Sequence, residues 1–369
     1  MSLNIIFDGN YLFFKTLFVV GGYGKGGKAL SEKSEQQMFI RKIATDMAHC
    51  IRAFGKPDRV IFTFDSRSWR KEVMIEEGDY KANRTKDEST IDWDSFYTCM
   101  NDFMLILTKQ GYIVSKEERA EGDDLMYLWS DYFFNNGMDS IIVTGDRDLT
   151  QSVRCNGKNY VVVYNSNSKS RKIVAPKGFS EWLKGGEVDL FDANSFMNNN
   201  RDLIAEAANS IPVEEIDPKW VIFEKVIIGD AGDNVPSVWT WVEKEKNFRV
   251  TPKKAERIYE LLNRVKEIED VYELPDRCVE VSSAINSTCK QNTSKEKIQD
   301  RLKRNLQLVY LDKRIIPTEI QEAFNGNIEK YMKKPLLGNR NYDMNTILFS
   351  TDYVAAGKSF ESDFFKNFS

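Results

Sequence analysis

The sequence predicts an α/β protein with a mostly parallel central sheet and helices on both faces of that sheet. Over roughly the first 165 residues, short apolar runs of strand length alternate with stretches whose apolar residues recur at helical spacing. This alternation is typical of strand–helix–strand units, which build parallel sheets. Three of the apolar runs are followed at once or within three residues by an acid, at Asp8, Asp65 and Asp146. Because ligands gather beyond the carboxyl ends of parallel strands, these three carboxylates are expected at one edge of the sheet.

The first half of the chain supplies the strands and helices of this sheet domain. Strands are expected over residues 3–8, 60–64, 112–115 and 140–143, and helices over about 11–20, 35–54 and 92–110, with a further helix opening at Glu121. Residues 160–164 and the polar S-N-S-K-S-R-K that follows them indicate a hairpin. Residues 185–215 are interpreted as acidic and Asn-rich loops.

From about residue 220 the chain is expected to be mainly helical. An apolar helix with a glycine break passes through I-I-G-D-A-G-D-N-V, a second helix opens with the proline of T-P-K-K-A, and a basic helical tail starts near residue 294. We therefore predict two domains. Residues 1–184 form an α/β domain with a basic polar segment at about 66–92, and residues 185–369 contain a helix–turn–helix pair at about 220–263 and the helical tail.

Composition limits the class of protein. With 41% hydrophobic and 29% charged residues, the chain can form an ordinary globular core. No apolar stretch reaches the roughly 18 residues that a membrane helix needs, and the start lacks the basic region of a secretory signal, so we expect no membrane association and a cytoplasmic location. Five cysteines without CxxC spacing indicate reduced thiols. His49 is the only histidine, which argues against histidine-based catalysis and zinc ligation.

Nine carboxylates form five short clusters, each at the end of a strand-like run or on one face of a helix. They are Asp8, Asp65, Glu121, Asp123, Asp124, Asp146, Asp148, Asp230 and Asp233. Such a concentration of like charge would repel itself unless hard divalent cations neutralise it, and ligation by oxygen alone suits Mg2+. With these nine acids neutralised, the 52 basic residues outnumber the remaining acidic ones, so the net charge of −4 does not exclude a nucleic-acid partner.

Spacing within the clusters favours convergence on a pair of metal ions. Glu121 and Asp124 are three residues apart, as are Asp230 and Asp233, which places each pair on one helical face. The two acids of T-G-D-R-D share a side if the backbone there is extended. Two divalent ions can hold a phosphodiester, activate water and neutralise the leaving oxygen, which requires carboxylates and no covalent nucleophile. For any single acid, the alternative is a helix cap or a solvated side chain.

The polar segment after Asp65 carries positive charge that suits a phosphate backbone. Its candidate nucleic-acid contacts are Arg67, Arg70, Lys81 and Arg84. Aromatic rings on which an unpaired base could stack are offered by Trp69, Tyr80 and Tyr11. The alternatives are a solvated charged loop for the segment and a core position for Tyr11.

A second basic site is expected at the start of the helix in T-P-K-K-A. Backbone N–H groups at a helix start, together with Lys253 and Lys254, would grip duplex phosphates without reading the base sequence. This favours an enzyme that selects the structure of its substrate.

Together these motifs resemble the flap-endonuclease superfamily of 5′ nucleases, and in particular its branch of T-even-type bacteriophage RNases H. The segments F-D-G-N, F-D-S-R, D-Y-K-A-N-R, A-E-G-D-D, T-G-D-R-D-L-T-Q and I-I-G-D-A-G-D-N-V-P stand in the order of the family. The segments S-T-I-D-W-D and Y-D-M-N-T-I-L-F-S-T-D-Y-V-A-A-G resemble the phage branch. The resemblance implies a PIN-like 5′-nuclease fold, in which residues 66–92 form a basic arch and residues 220–263 a helix-three-turn-helix element that binds DNA.

The function implied by the resemblance is a 5′–3′ exonuclease with flap endonuclease activity. It would use two Mg2+ ions, with Mn2+ as a substitute, and act on RNA–DNA hybrids, duplex DNA and branched 5′ flaps. It would remove RNA primers from lagging-strand fragments. The implied partners are a single-stranded-DNA-binding protein and a sliding clamp, and the chain is expected to be a monomer.

The resemblance also implies roles for individual residues. The tighter metal site would consist of Asp8, Asp65, Glu121, Asp124 and Asp146. The second ion would be supported, partly through water, by Asp148, Asp230 and Asp233. Asp123 matches an acid of bacterial relatives. Lys81 and Arg84 match basic residues of the arch that polarise the scissile phosphate.

Two other functions stay open. A PIN-type nuclease shares the acidic sheet and cleaves single-stranded RNA, but it would lack the arch and the element at 220–263. A non-catalytic DNA-binding scaffold of replication would keep the fold, although its unneutralised acids would weaken binding to DNA. Residues 185–215 and 276–297 are interpreted as insertions relative to compact phage relatives.

Overall fold

The structure is a computed structural model that describes residues 2–20, 28–73, 79–83, 90–167, 169–185, 199–243 and 246–337. These residues form two compact units. The first unit contains the described parts of Met1–Ser66, Lys86–Glu215 and Glu319–Ser369, and the second those of Arg67–Thr85 and Ile216–Thr318. The boundary predicted after residue 184 therefore lies inside the first unit. Three separate stretches of the chain form the first unit, and two form the second.

An eight-stranded sheet forms the centre of the first unit. Its strands are β1 (Leu3–Asp8), β2 (Arg59–Thr63), β3 (Ile113–Ser115), β4 (Asp139–Val143), β5 (Arg154–Cys155), β6 (Tyr160–Asn165), β7 (Lys172–Pro176) and β8 (Val213–Ile216). Their order is β3-β2-β1-β4-β6-β7-β8, with β5 paired to β6. The pairs that join β3, β2, β1, β4 and β6 are parallel, whereas β5 and β7 run antiparallel to β6. The predicted α/β class with a mostly parallel sheet is confirmed.

The register of the three central strands brings their carboxyl ends to one level. Asp8 of β1 is opposite Thr63 of β2, and Phe7 is opposite Val143 of β4. The side chains within these strands are buried almost throughout, as expected for strands covered on both faces. Residues that follow β1, β2 and β4 therefore come together at the same edge.

Eleven helices are present in the described residues. They are α1 (Gly9–Val20), α2 (Lys33–Ala53), α3 (Trp93–Lys109), α4 (Gly122–Asn135), α5 (Phe179–Leu183), α6 (Asn199–Ala208), α7 (Pro218–Ile228), α8 (Pro252–Val265), α9 (Cys278–Cys289), α10 (Lys295–Val309) and α11 (Thr318–Met332). Local sequence explains the predicted ends of α3. The Asp92 carboxylate accepts a hydrogen bond of 3.1 Å from the Ser95 N–H, and Gly111 follows the last turn with a φ of +85°.

The helix α6 corrects one expectation from the sequence. Residues 185–215 were expected to be loops, but Asn199–Ala208 are helical, and Ile204 and Ala207 are buried in the core of the first unit. The helix is short and its first four residues are polar, so the segment lacks the long apolar stripe that makes a helix evident in a sequence. Residues 186–198 lie outside the described ranges.

The second unit consists of helices around its own apolar core, with a two-stranded hairpin of β9 (Thr240–Glu243) and β10 (Lys246–Arg249) between α7 and α8. The predicted glycine break is Gly229, whose φ is +78° and whose position would bring a Cβ to 2.3 Å from the Val235 carbonyl oxygen. Only glycine fits there. The helix α9 lies within the predicted insertion 276–297 and buries Val281 and Ile285 in this core.

Two further observations concern the chain as a whole. All five cysteines are free thiols. Among the described helices, none combines the length and the apolar character required to cross a membrane. The phage-like segment at residues 342–357 lies outside the described part of the chain.

Candidate metal centre

Asp8 is the last residue of β1 and is buried. Its Oδ1 accepts a hydrogen bond of 2.8 Å from the Tyr11 N–H, in the first turn of α1, and its Oδ2 accepts one of 2.8 Å from the Thr144 hydroxyl. Burial raises the pKa of Asp8 to about 7, although both hydrogen bonds oppose this rise, and the charges of Asp65 and Asp146 add to it. The ionised form of Asp8 is therefore disfavoured by burial and by the neighbouring negative charges.

Asp65 follows β2, and its carboxylate accepts hydrogen bonds from Gly122 and Asn10. Its Oδ1 accepts a hydrogen bond of 2.6 Å from the Gly122 N–H, and its Oδ2 accepts one of 2.6 Å from the Asn10 amide. The Asp65 N–H in turn donates to Asn10 Oδ1 over 3.2 Å. A Cβ at position 122 would lie 3.1 Å from Asp65 Oδ1, so the missing side chain allows the close approach of α4 to this carboxylate.

The three acids at the start of α4 have different surroundings, and the metal-ligand role expected for Asp124 stays a prediction. The Asp124 side chain is fully buried, and its Oδ2 accepts a hydrogen bond of 3.1 Å from the Glu121 N–H, as in a capping box. Asp123 instead faces the other acids. Burial raises its pKa well above the ordinary value, and the charges of Asp146, Asp8, Glu121 and Asp65 raise it further. The pKa of Asp123 is therefore raised by four neighbouring carboxylates.

Asp146 and Asp148 follow β4 in a tight turn. The Asp146 N–H donates to the Thr144 hydroxyl oxygen over 3.0 Å, and the Asp148 N–H donates to Asp146 Oδ1 over 2.8 Å. Arg147 between them has helical angles (φ −69°, ψ −22°). The condition under which these two acids would share a side, an extended backbone, is therefore not met, because the Asp146 side chain accepts a hydrogen bond from the residue two positions ahead.

The structure thus brings together five predicted acids at the carboxyl edge of the sheet. The charges of Asp65 and Asp146 raise the pKa of Asp8, and the charges of Asp146, Asp8, Glu121 and Asp65 raise the pKa of Asp123. Within the described ranges, no group of three or more Asp, Glu, His or Cys side chains is already arranged to hold a metal ion. The chemistry of the donors fits a hard divalent cation, because all are carboxylates and because Asp8 and Asp123 carry unfavourable negative charge that a cation would relieve. Each metal-ligand role stays a prediction.

Asp230 and Asp233 belong to the second unit and are paired there with lysines. Asp230 Oδ2 accepts a hydrogen bond of 2.7 Å from Lys225 Nζ, and Asp230 Oδ1 accepts one of 2.8 Å from the Gly232 N–H. Burial acts to raise the pKa of Asp230, but the hydrogen bond and charge of Lys225 lower it below the ordinary value. Asp233 Oδ2 lies 3.7 Å from Lys81 Nζ. Their assignment to the second ion stays a prediction.

The described part of the predicted arch differs from an exposed basic loop. Arg67 is exposed, but Arg70 is only 1% exposed, with its guanidinium 4.6 Å from the centroid of the buried Trp69 ring. Tyr80 is buried in the core of the second unit. The expectation that Arg70, Trp69 and Tyr80 present accessible faces to a nucleic acid is therefore wrong for this structure. Arg84 lies outside the described residues.

The remaining predicted contacts have mixed surroundings. The Tyr11 ring is half-buried and packs so closely on Gly145 that a Cβ there would lie 2.3 Å from Tyr11 Cε2. Lys253 is exposed in the first turn of α8, and Lys254 is half-buried with Nζ 4.5 Å from the centroid of the Trp241 ring. Both lysines stay candidates for phosphate contacts.

Three residues that organise the acidic cluster were not predicted from the sequence. Thr144 links Asp8 to the turn that carries Asp146, Asn10 holds Asp65, and Gly122 donates to Asp65. All three lie inside the acidic motifs themselves, as F-D-G-N, T-G-D-R-D and A-E-G-D-D. A polar residue or a glycine close to one of these carboxylates in the sequence was the signal that could have predicted these contacts.

A parallel α/β sheet with clustered carboxylates at its carboxyl edge defines the class of the metal-dependent phosphodiester hydrolases. Comparison with known proteins gives the family. Residues 3–183 match the model of the 5′–3′ exonuclease N-terminal resolvase-like domain. This match covers the first half of the chain and supports membership of the flap endonuclease and 5′–3′ exonuclease superfamily.

Relatives of known sequence or structure agree with this family. The chain is 24% identical over 343 residues to DNA polymerase I of Caldicellulosiruptor bescii, covering 92% of this chain and 32% of that protein, about a third of its length. The D15 protein of bacteriophage T5, crystallised with metal ions, superposes with a TM-score of 0.54 at 16% identity, covering 90% of this chain and all of the T5 protein (100%). The T5 D15 flap endonuclease in a complex with DNA and metal ions gives a TM-score of 0.53 at 16% identity, with 90% and 100% coverage. These structural similarities show a shared fold.

Proposed function

We propose that this protein is a 5′ nuclease that depends on divalent metal ions and has 5′–3′ exonuclease and flap endonuclease activity. The observation that supports this proposal most strongly is the group of five interacting carboxylates at the carboxyl edge of the sheet. Hydrolysis of a phosphodiester by this group requires no covalent nucleophile.

The residues proposed to hold divalent ions are the carboxylates of Asp8, Asp65, Glu121, Asp123 and Asp146. Two Mg2+ ions, for which Mn2+ can substitute, would supply charge neutralisation at the phosphodiester and a more acidic water. The chain contributes the positions of these carboxylates. Thr144, Asn10 and the Gly122 N–H fix individual carboxylate oxygens, which limits the rotation of the side chains before any ion binds.

Duplex phosphates are proposed to bind at the N-terminus of α8. The first turn of this helix contains Lys253 and Lys254 and no acid, and Thr251 makes no side-chain capping hydrogen bond. Cations at a helix N-terminus are unfavourable in the free protein, since that end already carries partial positive charge. A bound phosphate would satisfy both the lysines and the N–H groups.

The substrates that we propose are RNA–DNA hybrids, duplex DNA and branched 5′ flaps, and the proposed biological role is removal of RNA primers during phage replication. The similarity of the phage-like segments S-T-I-D-W-D and residues 342–357 supports this role. A single-stranded-DNA-binding protein and a sliding clamp are proposed as partners of a monomeric enzyme in the cytoplasm of the infected host. These proposals follow from the resemblance of the motifs.

The decisive experiment uses three substrates labelled at the 5′ end: a 5′ flap, a 3′ flap and an RNA primer annealed to DNA. With Mg2+, we expect cleavage of the 5′ flap and of the RNA primer but not of the 3′ flap, and EDTA should abolish both reactions. The Asp8→Asn variant should lose cleavage while binding the 5′ flap at least as tightly as the parent, because one negative charge near the phosphates is removed. Cleavage in EDTA, or no cleavage by the parent, would disprove the proposal.

A further inference from the structure

We propose that α11 positions the acids at the start of α4, and that its Asn327 acts on Glu121 and Asp123 through the buried Glu117. The inference deepens the proposed function and rests on it, since Glu121 and Asp123 are two of the carboxylates proposed to hold divalent ions. Because Asn327 acts through another side chain, its role is that of a positioning residue.

The turn at residues 116–120 connects β3 to α4 and leads directly into Glu121. Its Ala120 carbonyl accepts a hydrogen bond of 2.9 Å from the Ser66 N–H. Ser66 follows Asp65 in the chain, so the turn is bonded to the segment that carries one acid of the cluster and is continuous with the helix that carries two more. A shift of the turn would therefore change the distances between these acids.

A buried carboxylate in this turn is held by α11. Glu117 is only 6% exposed, and its carbonyl accepts a hydrogen bond of 3.3 Å from the Ala120 N–H. The Asn327 amide donates to both carboxylate oxygens of Glu117, over 3.2 Å to Oε1 and 3.1 Å to Oε2. Burial raises the pKa of Glu117, and the hydrogen bond from Asn327 opposes this rise. Asn327 therefore stabilises the ionised form of a carboxylate inside the turn that delivers Glu121.

Further contacts of α11 lie on both sides of the Glu117 contact. Phe324 and Tyr331 pack on the buried Trp129 of α4, with ring centroids 5.1 and 5.7 Å from that of the indole. The guanidinium of Arg119 in the turn pairs with Glu319, and Arg119 has a φ of +64°, which is uncommon for a residue with a side chain. The ion pair is exposed and contributes little by itself. Together these contacts connect α11 to the turn and to the helix that follows it, so α11 limits the movement of both.

The donor and the acceptor of the Glu117–Asn327 pair can be exchanged, which separates positioning from mere stabilisation. Asn327→Asp places a second carboxylate against Glu117, and the two negative charges repel each other. In the double variant of Glu117→Gln with Asn327→Asp, the amide and the carboxylate change places and the hydrogen bond forms in the opposite direction. Ile204→Val is the matched control, because it removes a buried methyl group from α6, which contributes none of these contacts.

The test uses the full chain and two readouts: the rise in melting temperature that Mg2+ produces without substrate, and the Mg2+ concentration for half-maximal cleavage of a 5′ flap. We expect Asn327→Asp to raise that concentration roughly fivefold or more and to reduce the Mg2+-dependent rise in melting temperature. The double variant should restore both readouts to those of the parent. Asn327→Ala removes the donor without adding a charge, so it should change both in the same direction by less. Ile204→Val should melt lower but keep the Mg2+ requirement of the parent.

The possible outcomes separate this inference from the proposed function. If Asn327→Asp and Asn327→Ala melt lower but keep the Mg2+ requirement of the parent, as Ile204→Val does, α11 only stabilises the fold, and the inference is wrong while the nuclease proposal stands. If the double variant does not recover the Mg2+ requirement of the parent, the Glu117–Asn327 contact is not the cause and the inference is also wrong. If the parent cleaves no flap in Mg2+, the proposed function itself fails, and the melting of Asn327→Asp with and without Mg2+ still tests the inference.

Discussion

Tyr80 and Asp233 are joined by a hydrogen bond within the second unit, in which the phenol hydroxyl donates to Asp233 Oδ2 over 3.1 Å. The next residue adds two contacts, since the Lys81 N–H donates to the Asp233 carbonyl over 2.8 Å and Lys81 Nζ lies 3.7 Å from Asp233 Oδ2. The Asn83 amide donates to the Ala231 carbonyl over 2.8 Å. A short segment of the predicted arch is therefore fixed onto the turn that carries two predicted metal ligands.

The first prediction concerns the Tyr80 hydroxyl. Tyr80→Phe keeps the buried ring in the core but removes the donor to Asp233. We expect a loss of about 1 kcal/mol in stability, typical of one buried hydrogen bond. Cleavage of a 5′ flap should then require more Mg2+ for half-maximal rate, because Asp233 loses a contact that limits its rotation. Chemical denaturation and a Mg2+ titration of the cleavage rate provide the measurements.

A matched control for Tyr80→Phe is Tyr132→Phe, since the Tyr132 hydroxyl makes no hydrogen bond in the described residues. That control should match the parent in both measurements. If Tyr80→Phe loses stability without any change in its Mg2+ requirement, the hydroxyl supports folding only.

The second prediction separates two neighbouring acids. Asp123 is surrounded by four other carboxylates, whereas Asp124 accepts a hydrogen bond from the Glu121 N–H in the first turn of α4. Asp123→Asn should stabilise the metal-free protein at neutral pH, because it removes a carboxyl whose ionised form is disfavoured by burial and by the neighbouring charges. The same variant should bind Mg2+ more weakly. Asp124→Asn should instead destabilise the protein by about 0.5–2 kcal/mol, since the capping interaction is weakened.

Melting temperatures with and without Mg2+ distinguish these two variants. We expect Asp123→Asn to melt above the parent without Mg2+ and to gain less from Mg2+. Asp124→Asn should melt below the parent in both conditions. Equal behaviour of the two variants would contradict the different positions that the structure gives them.

The third prediction concerns pH and follows from Asp8. The pKa of this carboxyl is raised from the ordinary 3.8 to about 7. Between these values the folded protein retains a proton that the unfolded chain has already released, so the free energy of unfolding falls as pH rises. The contribution is complete below the lower value and is lost as pH rises through the higher one. A divalent cation relieves the repulsion between the ionised acids.

Thermal melting at about pH 5 and pH 8, with and without Mg2+, measures this effect. We expect Mg2+ to raise the melting temperature more at the higher pH, where the carboxylates are ionised. In Asp8→Asn the change of melting temperature with pH should be smaller, with the remainder due to Asp123. The same Mg2+ effect at both pH values would contradict the raised pKa of Asp8.

The carboxyl edge of the sheet could be predicted because the positions and ends of strands depend on local patterns. Apolar runs ending at Asp8 and Asp65 identify strands, and the parallel alignment of such strands brings their ends together. Which of Asp123 and Asp124 interacts with the other acids, and which one accepts the capping hydrogen bond, could not be predicted in the same way. A spacing of three residues from Glu121 fits both a shared metal-binding face and a capping box, and the backbone angles of the first turn decide between them.

The burial of Tyr80 and Arg70 in the second unit was the feature that the sequence predicted least well. The segment around Tyr80 is polar and has no apolar period, yet Tyr80 packs into a core whose other members lie more than a hundred positions further along the chain. Arg70 is buried although its charge suggested an exposed contact. A single sequence shows local periodicity but does not show which distant segments meet, so the burial of isolated aromatic residues and arginines requires the tertiary structure.

The last prediction concerns Thr144, which is fully buried and connects two acids. Its hydroxyl donates to Asp8 Oδ2 over 2.8 Å and accepts from the Asp146 N–H over 3.0 Å. Thr144→Val keeps the shape of the side chain but leaves a buried carboxylate oxygen and an N–H without this partner. Because the hydroxyl lowers the pKa of Asp8, its loss should raise that pKa further and move the onset of cleavage to higher pH.

The expected loss in cleavage rate at neutral pH for Thr144→Val is about tenfold or more, as for one hydrogen bond to a charged group. Thr144→Ser retains the hydroxyl and should keep both the rate and the pH profile close to those of the parent. A pH–rate profile for the three proteins on a 5′ flap substrate measures both effects. A lower rate for Thr144→Val with the pH profile of the parent would show that the hydroxyl supports the fold of the turn and does not control the charge of Asp8.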